Sequence, residues 1–304
     1  MSVIADPEQR RVIEARIEQV YELPPMPELG RRILELQADP NADARKLAEI
    51  VQLDPSMAAQ VIRYASSSYY GYAGRVTNIQ DAISRVLGYD MVFNLALGLA
   101  SGRSFRVPDE GPLGLTRFWE HAVCTAAMVQ HLGAALPEPI RPPAGFAWLC
   151  GLLHDFGLLL LGHLFPPEFR LLNKLAAAHP ELTVDELEQG LLGMGEAQDL
   201  LSLGHARIGA WLMDVWKMPD TLVVALLEHH NADYRGDYEV MVHLVQLGDA
   251  LVRSMGAEPE QLSMPEHSLT VLHLLPAEVQ KIAHEVGESR DDLASLSGML
   301  VTAS

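Results

Sequence analysis

The sequence has few cysteines and little positive charge, and both shortages exclude classes of protein. Two cysteines in 304 residues, Cys124 and Cys150, are too few for a secreted disulfide framework or a zinc ribbon. Forty acidic side chains against 22 lysines and arginines give a net charge of −18, and no basic run occurs. Because a sequence-independent grip on nucleic acid comes mainly from Lys and Arg at phosphates, we do not expect nucleic acid as a partner.

Signals for export or membrane insertion are also scarce. The opening residues, MSVIADPEQRR, mix acidic and basic side chains and do not resemble a signal peptide. The longest apolar stretch, 146–165, carries His154 and Asp155 at its middle. A charged side chain at the centre of a membrane-spanning helix costs about 2.5–3.5 kcal/mol. We therefore expect a core segment here, no membrane contact and a cytoplasmic protein.

Strand patterns are missing as well, and helical spacing takes their place. No segment alternates strictly between polar and β-branched residues, while apolar residues recur every three or four positions almost throughout. Asp43 is a predicted helix cap, and so is Asp54, which is followed by proline at the first helical position. Thr77 and Gln80 form a predicted capping box for a helix that Gly88 can end. The fold is therefore predicted to be all-α.

Proline and glycine divide the chain into three predicted parts. A linker rich in both residues, 107–114, is the strongest boundary, and a weaker one lies at 256–266. The parts are residues 1–110, residues 111–255 and a helical tail, 256–304. Proline pairs at 142–143 and 166–167 predict helix starts, and further helices are predicted over 89–101, 115–136, 207–217, 219–230 and 239–255.

Several ionisable side chains lie on predicted apolar helix faces. Asp249 shares its face with Val242 and Val245, and an unpaired carboxylate there would cost several kcal/mol. His154 similarly shares a face with Leu158. Taken singly, a buried histidine is usually a neutral imidazole bonded to a carbonyl, and a buried aspartate is usually a cap or an ion-pair partner. The case for a site depends on the whole set.

The set has the composition of a metal site. On one helix, His154 and Asp155 would point about 100° apart, close enough for both to share an ion. One more histidine and one more aspartate from other helices would complete a mononuclear centre, and extra imidazoles could form a second position. Nitrogen and oxygen ligands without thiolate suit Fe, Mn, Ni or Zn, as one or two ions. The candidate ligands are His121, His154, Asp155, His205, His229, His230 and Asp249.

Longer motifs carry a family resemblance. Over about residues 20–255 the following segments occur in family order: LPPMPELGRRILEL, KLAEIVQLDPSMAAQVIRYASSSYYG, IQDAISRVLGYDMVFNLALGLA, FWEHAVCTAAM, GLLHDFGLLLLGHLFP, GHARIGAWLMDVWKMP and LLEHHN. The sequence resembles the HDOD family, a branch of the HD superfamily of metal-dependent phosphohydrolases. The resemblance implies a multi-helix bundle, in which an N-terminal helical lobe (1–110) packs on an HD-like helical lobe (111–255).

The resemblance also implies a role in signal transduction. HDOD proteins are similar to interaction scaffolds and are commonly fused to receiver or cyclic-dinucleotide domains. The implied partners are proteins of a signalling pathway, with a homodimer as a further option. The segment before residue 20 is too short for a receiver domain, so we expect no fused partner.

The related HD-GYP phosphodiesterases imply the alternative function, a divalent-metal-dependent phosphohydrolase acting on a nucleotide or cyclic dinucleotide. Their ligand pattern falls on the same seven residues. However, Leu158 follows Gly157 where those enzymes have a lysine, and the stretch NADYRGDYEV lacks their GYP signature. Arg117 or Arg207 could replace the lysine and Glu120 could act as an outer acid, although all three are typical of a solvated surface. These departures favour the scaffold.

Overall fold

The computed structural model describes residues 24–190, 203–255 and 261–301, and every regular element within them is helical. The all-α prediction is confirmed. The longer helices are α1 (Glu28–Glu35), α2 (Ala44–Val51), α3 (Pro55–Ala65), α4 (Gly88–Gly102), α5 (Leu115–Ala135), α6 (Ala144–Leu153), α7 (Phe156–Leu164), α8 (Pro166–Ala178), α9 (Val184–Gly190), α10 (His205–Val215), α11 (Asp220–Glu228), α12 (Glu239–Arg253), α13 (Glu266–Leu272), α14 (Pro276–Glu288) and α15 (Arg290–Val301).

Helix caps follow the sequence closely, with one shift. The side chains of Asp43 and Asp54 accept hydrogen bonds from backbone N–H groups three residues later, at 2.8 and 2.9 Å, as predicted. The capping box predicted at Thr77 is displaced by one residue. Asn78 is the cap, because its side chain accepts the N–H of Asp81 at 2.8 Å, while the Thr77 hydroxyl donates to the Asp81 carboxylate.

The HD pair does not lie on one continuous helix, and that expectation was wrong. Helix α6 ends at Leu153, His154 and Asp155 form a turn, and α7 begins at Phe156. Asp155 has φ −100° and ψ 16°, outside the helical region, so the hydrogen-bond ladder is interrupted there. The break divides the apolar stretch between two sets of neighbours: α6 packs on α4 and α5, whereas α7 packs on α8 and α10.

Helix α5 is the central element of the second half of the chain. It packs against α6, α12 and the C-terminal helices α14 and α15. The N-terminal helices join through α4, which contacts both α1 and α6. One hydrophobic core runs from Ile33 to Leu300. The division at residues 110 and 255 stays a prediction. Residues 1–23 of its first part, 191–202 of its second and 256–260 and 302–304 of its third lie outside the described residues.

Two helical segments are long and apolar enough to cross a membrane, Ile79–Gly102 and Ala144–Leu164. In the folded protein 61% and 83% of their apolar windows are buried against other parts of the chain. The second segment contains the HD pair, and the expectation that it forms part of the core is confirmed. The cytoplasmic location stays a prediction.

The predicted linker 107–114 is fixed against α8 by one side chain. The Asn173 amide donates to the carbonyl of Glu110 and accepts the N–H of Leu113 at 3.0 Å. Gly111 has φ +82°, and a Cβ there would meet the Asn173 side chain. The linker therefore has a fixed position against α8.

The backbones of α7 and α10 approach each other closely at a pair of glycines. A Cβ on Gly157 would overlap the carbonyl oxygen of His205 and lie 2.9 Å from the amide nitrogen of Gly209. Real side chains essentially never make such contacts, so the packing requires glycine. This contact places the chain after Asp155 directly against the start of α10.

We predict that Gly157→Ala lowers the free energy of unfolding by about 1–3 kcal/mol, because α7 and α10 must separate to admit the methyl group. Gly287→Ala is the matched control, since nothing lies within 4 Å of a Cβ built there. Within a helix that change should be neutral or stabilising by up to about 1 kcal/mol. Chemical denaturation measures both, and equal stabilities for the two variants would contradict the proposed constraint.

Candidate metal centre

All seven side chains predicted from the sequence converge in one place. One comes from α5, two from the turn between α6 and α7, one from the first position of α10, two from the turn directly after α11 and one from α12. They form two groups whose nitrogen and oxygen atoms lie within 4.8 Å of one another in each group. The first group is Asp155, His205, His229 and His230, and the second is His121, His154 and Asp249. Their role as metal ligands stays a prediction.

The first group surrounds one oxygen of Asp155. His205 Nε2 lies 3.1 Å and His229 Nε2 lies 3.4 Å from Asp155 Oδ1. His230 Nε2 lies 2.9 Å from His205 Nε2. Three imidazoles and one carboxylate therefore aim at the same small volume.

The second group lies beside the other oxygen of Asp155. His154 Nε2 is 3.1 Å and His121 Nε2 is 3.7 Å from Asp155 Oδ2. His121 Nε2 is also 3.2 Å from Asp249 Oδ1 and 3.3 Å from His154 Nε2. Asp155 thus contributes one carboxylate oxygen to each group.

Backbone carbonyls fix how two of the imidazoles face the centre. His154 Nδ1 lies 2.8 Å from the carbonyl oxygen of Gly151, and His229 Nδ1 lies 2.7 Å from that of Leu226. A carbonyl only accepts, so each Nδ1 donates its proton. In the neutral ring Nε2 then points a lone pair at the centre, which is the arrangement used by metal-binding histidines.

A buried carboxylate orients the imidazole ring of His205 in the same way. Glu188 on α9 accepts from His205 Nδ1 at 2.9 Å and from the His205 backbone N–H at 3.0 Å. Sequence reasoning missed Glu188. A signal was present: Glu188 follows Val184 by one helical turn, so it is an acid on an apolar face, as Asp249 is.

The cation beside the centre is also one that the sequence analysis missed. Arg253, one turn after Asp249 on α12, donates from Nη1 to Asp249 Oδ2 at 2.8 Å. Of the two arginines proposed from sequence, Arg117 is ion-paired with Glu120 at 3.0 Å and Arg207 is exposed. Arg253 leaves Asp249 Oδ1 directed at the histidines.

The C-terminal region reaches the centre through a buried polar chain. Gln246 on α12 donates its amide to the carbonyl of His229 at 3.3 Å and accepts from the Ser268 hydroxyl on α13 at 2.6 Å. All three residues are buried. Helix α13 therefore helps to hold the backbone of a candidate ligand.

The arrangement fits a divalent metal. His229 Nε2 is buried and makes no hydrogen bond among the described residues, although Asp155 Oδ1 lies 3.4 Å away. Because Nδ1 holds the ring proton, His229 Nε2 is a hydrogen-bond acceptor, and it faces the acceptor oxygen Oδ1 of Asp155. Only a cation between these two atoms makes the contact favourable. Ligands bonded to one ion at about 2.0–2.2 Å lie about 3 Å apart, matching these distances. Imidazole and carboxylate donors suit Mn, Fe, Ni or Zn.

In the metal-free protein, protons on histidine rings supply the positive charge beside the buried carboxylates. Burial alone would raise the pKa of Asp155, but the charge and hydrogen bond of His154 hold that pKa well below its ordinary value. Burial would lower the pKa of His154 and of His205, yet Asp155 raises the first and Glu188 together with Asp155 raises the second. For His229, burial outweighs the carboxylate and lowers the pKa.

We predict that metal affinity rises with pH through about 6.5, the ordinary pKa of a histidine side chain, and continues to rise above it. The raised pKa values of His154 and His205 keep protons on these rings in the ion-free protein, and a metal ion must displace them. Calorimetric titration with Zn²⁺ or Mn²⁺ in buffers of different ionisation enthalpy should detect protons released to the buffer. A pH-independent affinity without proton release would contradict the assignment.

We predict that Glu188→Gln weakens metal binding by about 10–100-fold, because the neutral amide no longer supports His205 with a full charge. Asp185→Asn is the matched control on the same helix, where the side chain accepts only from Gln189 within the described hydrogen bonds. Competition with a fluorescent chelator measures both affinities. If both variants bind metal as the wild type does, Glu188 does not support a ligand.

Comparison with known proteins agrees with this fold. A family model described as HDOD domain matches residues 23–232. A candidate signal transduction protein from Marinobacter aquaeolei VT8 is 36% identical, with a TM-score of 0.77 over 95% of this chain and 61% of that one. An HDOD domain protein of unknown function from Geobacter sulfurreducens is 20% identical, with a TM-score of 0.73 over 97% and 99% of the two chains.

Two further proteins match this chain. A candidate phosphohydrolase from Shewanella amazonensis SB2B is 19% identical, with a TM-score of 0.71 over 96% of this chain and 98% of that one. An uncharacterized protein of Treponema pallidum (strain Nichols) is 22% identical over 255 residues, which is 82% of this chain and 46% of that protein. This chain thus spans about half of the Treponema protein. The family model covers most of the chain, and the protein therefore belongs to the HDOD family.

Proposed function

We propose that this protein is a metal-dependent phosphohydrolase that acts in signal transduction. The observation that carries the proposal is the carboxylate of Asp155, which gives one oxygen to each of two His/Asp groups. Both groups also line one cavity of about 230 Å³, through His121 and Asp249 on one side and His205 and His230 on the other. A ligand in this cavity could touch both groups at once.

The chain's own residues would hold the metal ion, orient its ligands and exclude water. A divalent ion held here would supply a Lewis acid and an activated water at neutral pH. His154, His205 and His229 would hold it with rings already oriented by hydrogen bonds on their far sides. Arg253 would keep Asp249 Oδ1 directed inward, and Leu158 in the cavity wall would exclude water. Little reorganisation would be needed on binding.

An interaction scaffold is the second candidate. It is supported by Leu158, an apolar side chain in the cavity wall at the position where the related HD-GYP phosphodiesterases have a lysine. In this case the centre would bind metal for stability, and protein partners or a second copy of the chain would receive the signal. Metal binding alone is compatible with both candidates, so turnover has to distinguish them.

The test is to measure bound Mn, Fe, Ni and Zn in the purified protein and to assay phosphomonoesters, diesters, nucleotides and cyclic dinucleotides. We expect bound metal and turnover, and we expect His154→Ala and Asp155→Ala to reduce turnover by at least about 100-fold. His284→Ala is the matched control, since that side chain is 75% exposed and, among the described residues, its ion-pair partner is Glu288 in its own helix. It should leave metal content and turnover unchanged. Bound metal with no turnover across the panel would favour the scaffold instead.

A further inference from the structure

The cavity beside the metal centre has two different walls. Residues of both His/Asp groups contribute to its lining. The linker before α5 contributes Pro112 and Leu113, and the segment entering α9 contributes Leu182 and Val184. These side chains are apolar, so this part of the cavity favours an apolar group. The remaining wall is charged.

Two arginines line the charged wall, and they differ in how firmly they are held. Arg117 is 68% exposed and pairs with Glu120 one turn away on its own helix, a kind of contact that orders a side chain weakly. Arg253 is 40% exposed and is fixed by its 2.8 Å bond to Asp249, which is only 3% exposed. That bond uses one N–H of a guanidinium that carries several. Arg253 is therefore the preorganised cation next to the centre.

The volume limits what can bind. Sites for drug-sized ligands usually measure roughly 300–1,000 Å³, whereas this cavity measures about 230 Å³. A phosphate group with a small organic substituent fits such a space, while most of a cyclic dinucleotide would remain outside. A guanidinium matches the oxygens of a phosphate in charge and geometry.

We propose that the cavity binds a small phosphomonoester, with Arg253 recognising the phosphate and the apolar wall around Leu182 holding the organic part. This inference rests on the proposed phosphohydrolase function and names its substrate class. A monoester has the advantage over a diester that it leaves more phosphate oxygens free for Arg253 and the centre. An organic part with few polar groups is favoured because Leu113, Leu182 and Val184 in the cavity lining offer mainly carbon atoms.

The test is calorimetric binding to the metal-loaded full chain, with inorganic phosphate, phenyl phosphate, diphenyl phosphate and a cyclic dinucleotide as probes. Phenyl phosphate should bind tightest. Arg253→Met should weaken it by about 10–100-fold, and Arg253→Lys should weaken it less. Leu182→Ser, at a side chain that is 42% exposed, should remove the preference for phenyl phosphate over inorganic phosphate. Arg45→Met, on α2 and 78% exposed, is the matched control and should change nothing.

Metal content is measured on every variant, because Arg253 also contacts Asp249. If Arg253→Met loses metal, the ranking of the four probes and the Leu182→Ser variant decide the question. The inference is overturned if diphenyl phosphate or the cyclic dinucleotide binds as tightly as phenyl phosphate. It is also overturned if metal-loaded Arg253→Met binds phenyl phosphate as tightly as the wild type does, or if none of the four probes binds. Tight binding of phenyl phosphate without hydrolysis would count against the proposed function and not against this site. Hydrolysis of diesters that does not depend on Arg253 would count against this site and not against the proposed function.

Discussion

The carboxylate of Asp155 is the contact on which the centre depends. Its two oxygens lie 3.1 Å from His205 on one side and 3.1 Å from His154 on the other, so both groups of imidazoles are organised around it. The carboxylate reaches both because it lies in a turn, and that turn is held in place by the glycine contact between α7 and α10. Loss of either feature would separate the groups.

Much of the candidate site could be predicted from sequence, because ionisable residues on apolar faces are costly and therefore conspicuous. All seven converging residues, including Asp249 among the valines of α12, could be identified from this cost and from the family resemblance. The turn at His154 and Asp155 could not be predicted in this way. The residues on both sides are apolar around their whole circumference, so hydrophobic periodicity carries no mark of the break.

The supporting residues were harder to predict for a different reason. Arg253 pairs with Asp249 across a single helical turn, and helical spacing alone could have suggested it. Glu188 supports His205 from another helix, 17 residues earlier in the chain, and only the packing of α9 brings them together. Helix caps, by contrast, are local: Asp43 and Asp54 were identified because their partners lie three residues away. Prediction succeeded where the cause of a contact is local or energetically conspicuous.

The position of the C-terminal helices limits how far the chain can be shortened without damage to the candidate centre. The family match ends at residue 232, yet Asp249 follows that boundary, as do Gln246 and Ser268, which steady the backbone of His229. Helices α14 and α15 cover α5, which carries His121. A fragment trimmed to residues 23–232 would lose a candidate ligand, expose α5 and remove the Gln246 side chain that donates to the carbonyl of His229. For this protein the segment matched by the family model is shorter than the segment that holds the candidate centre together.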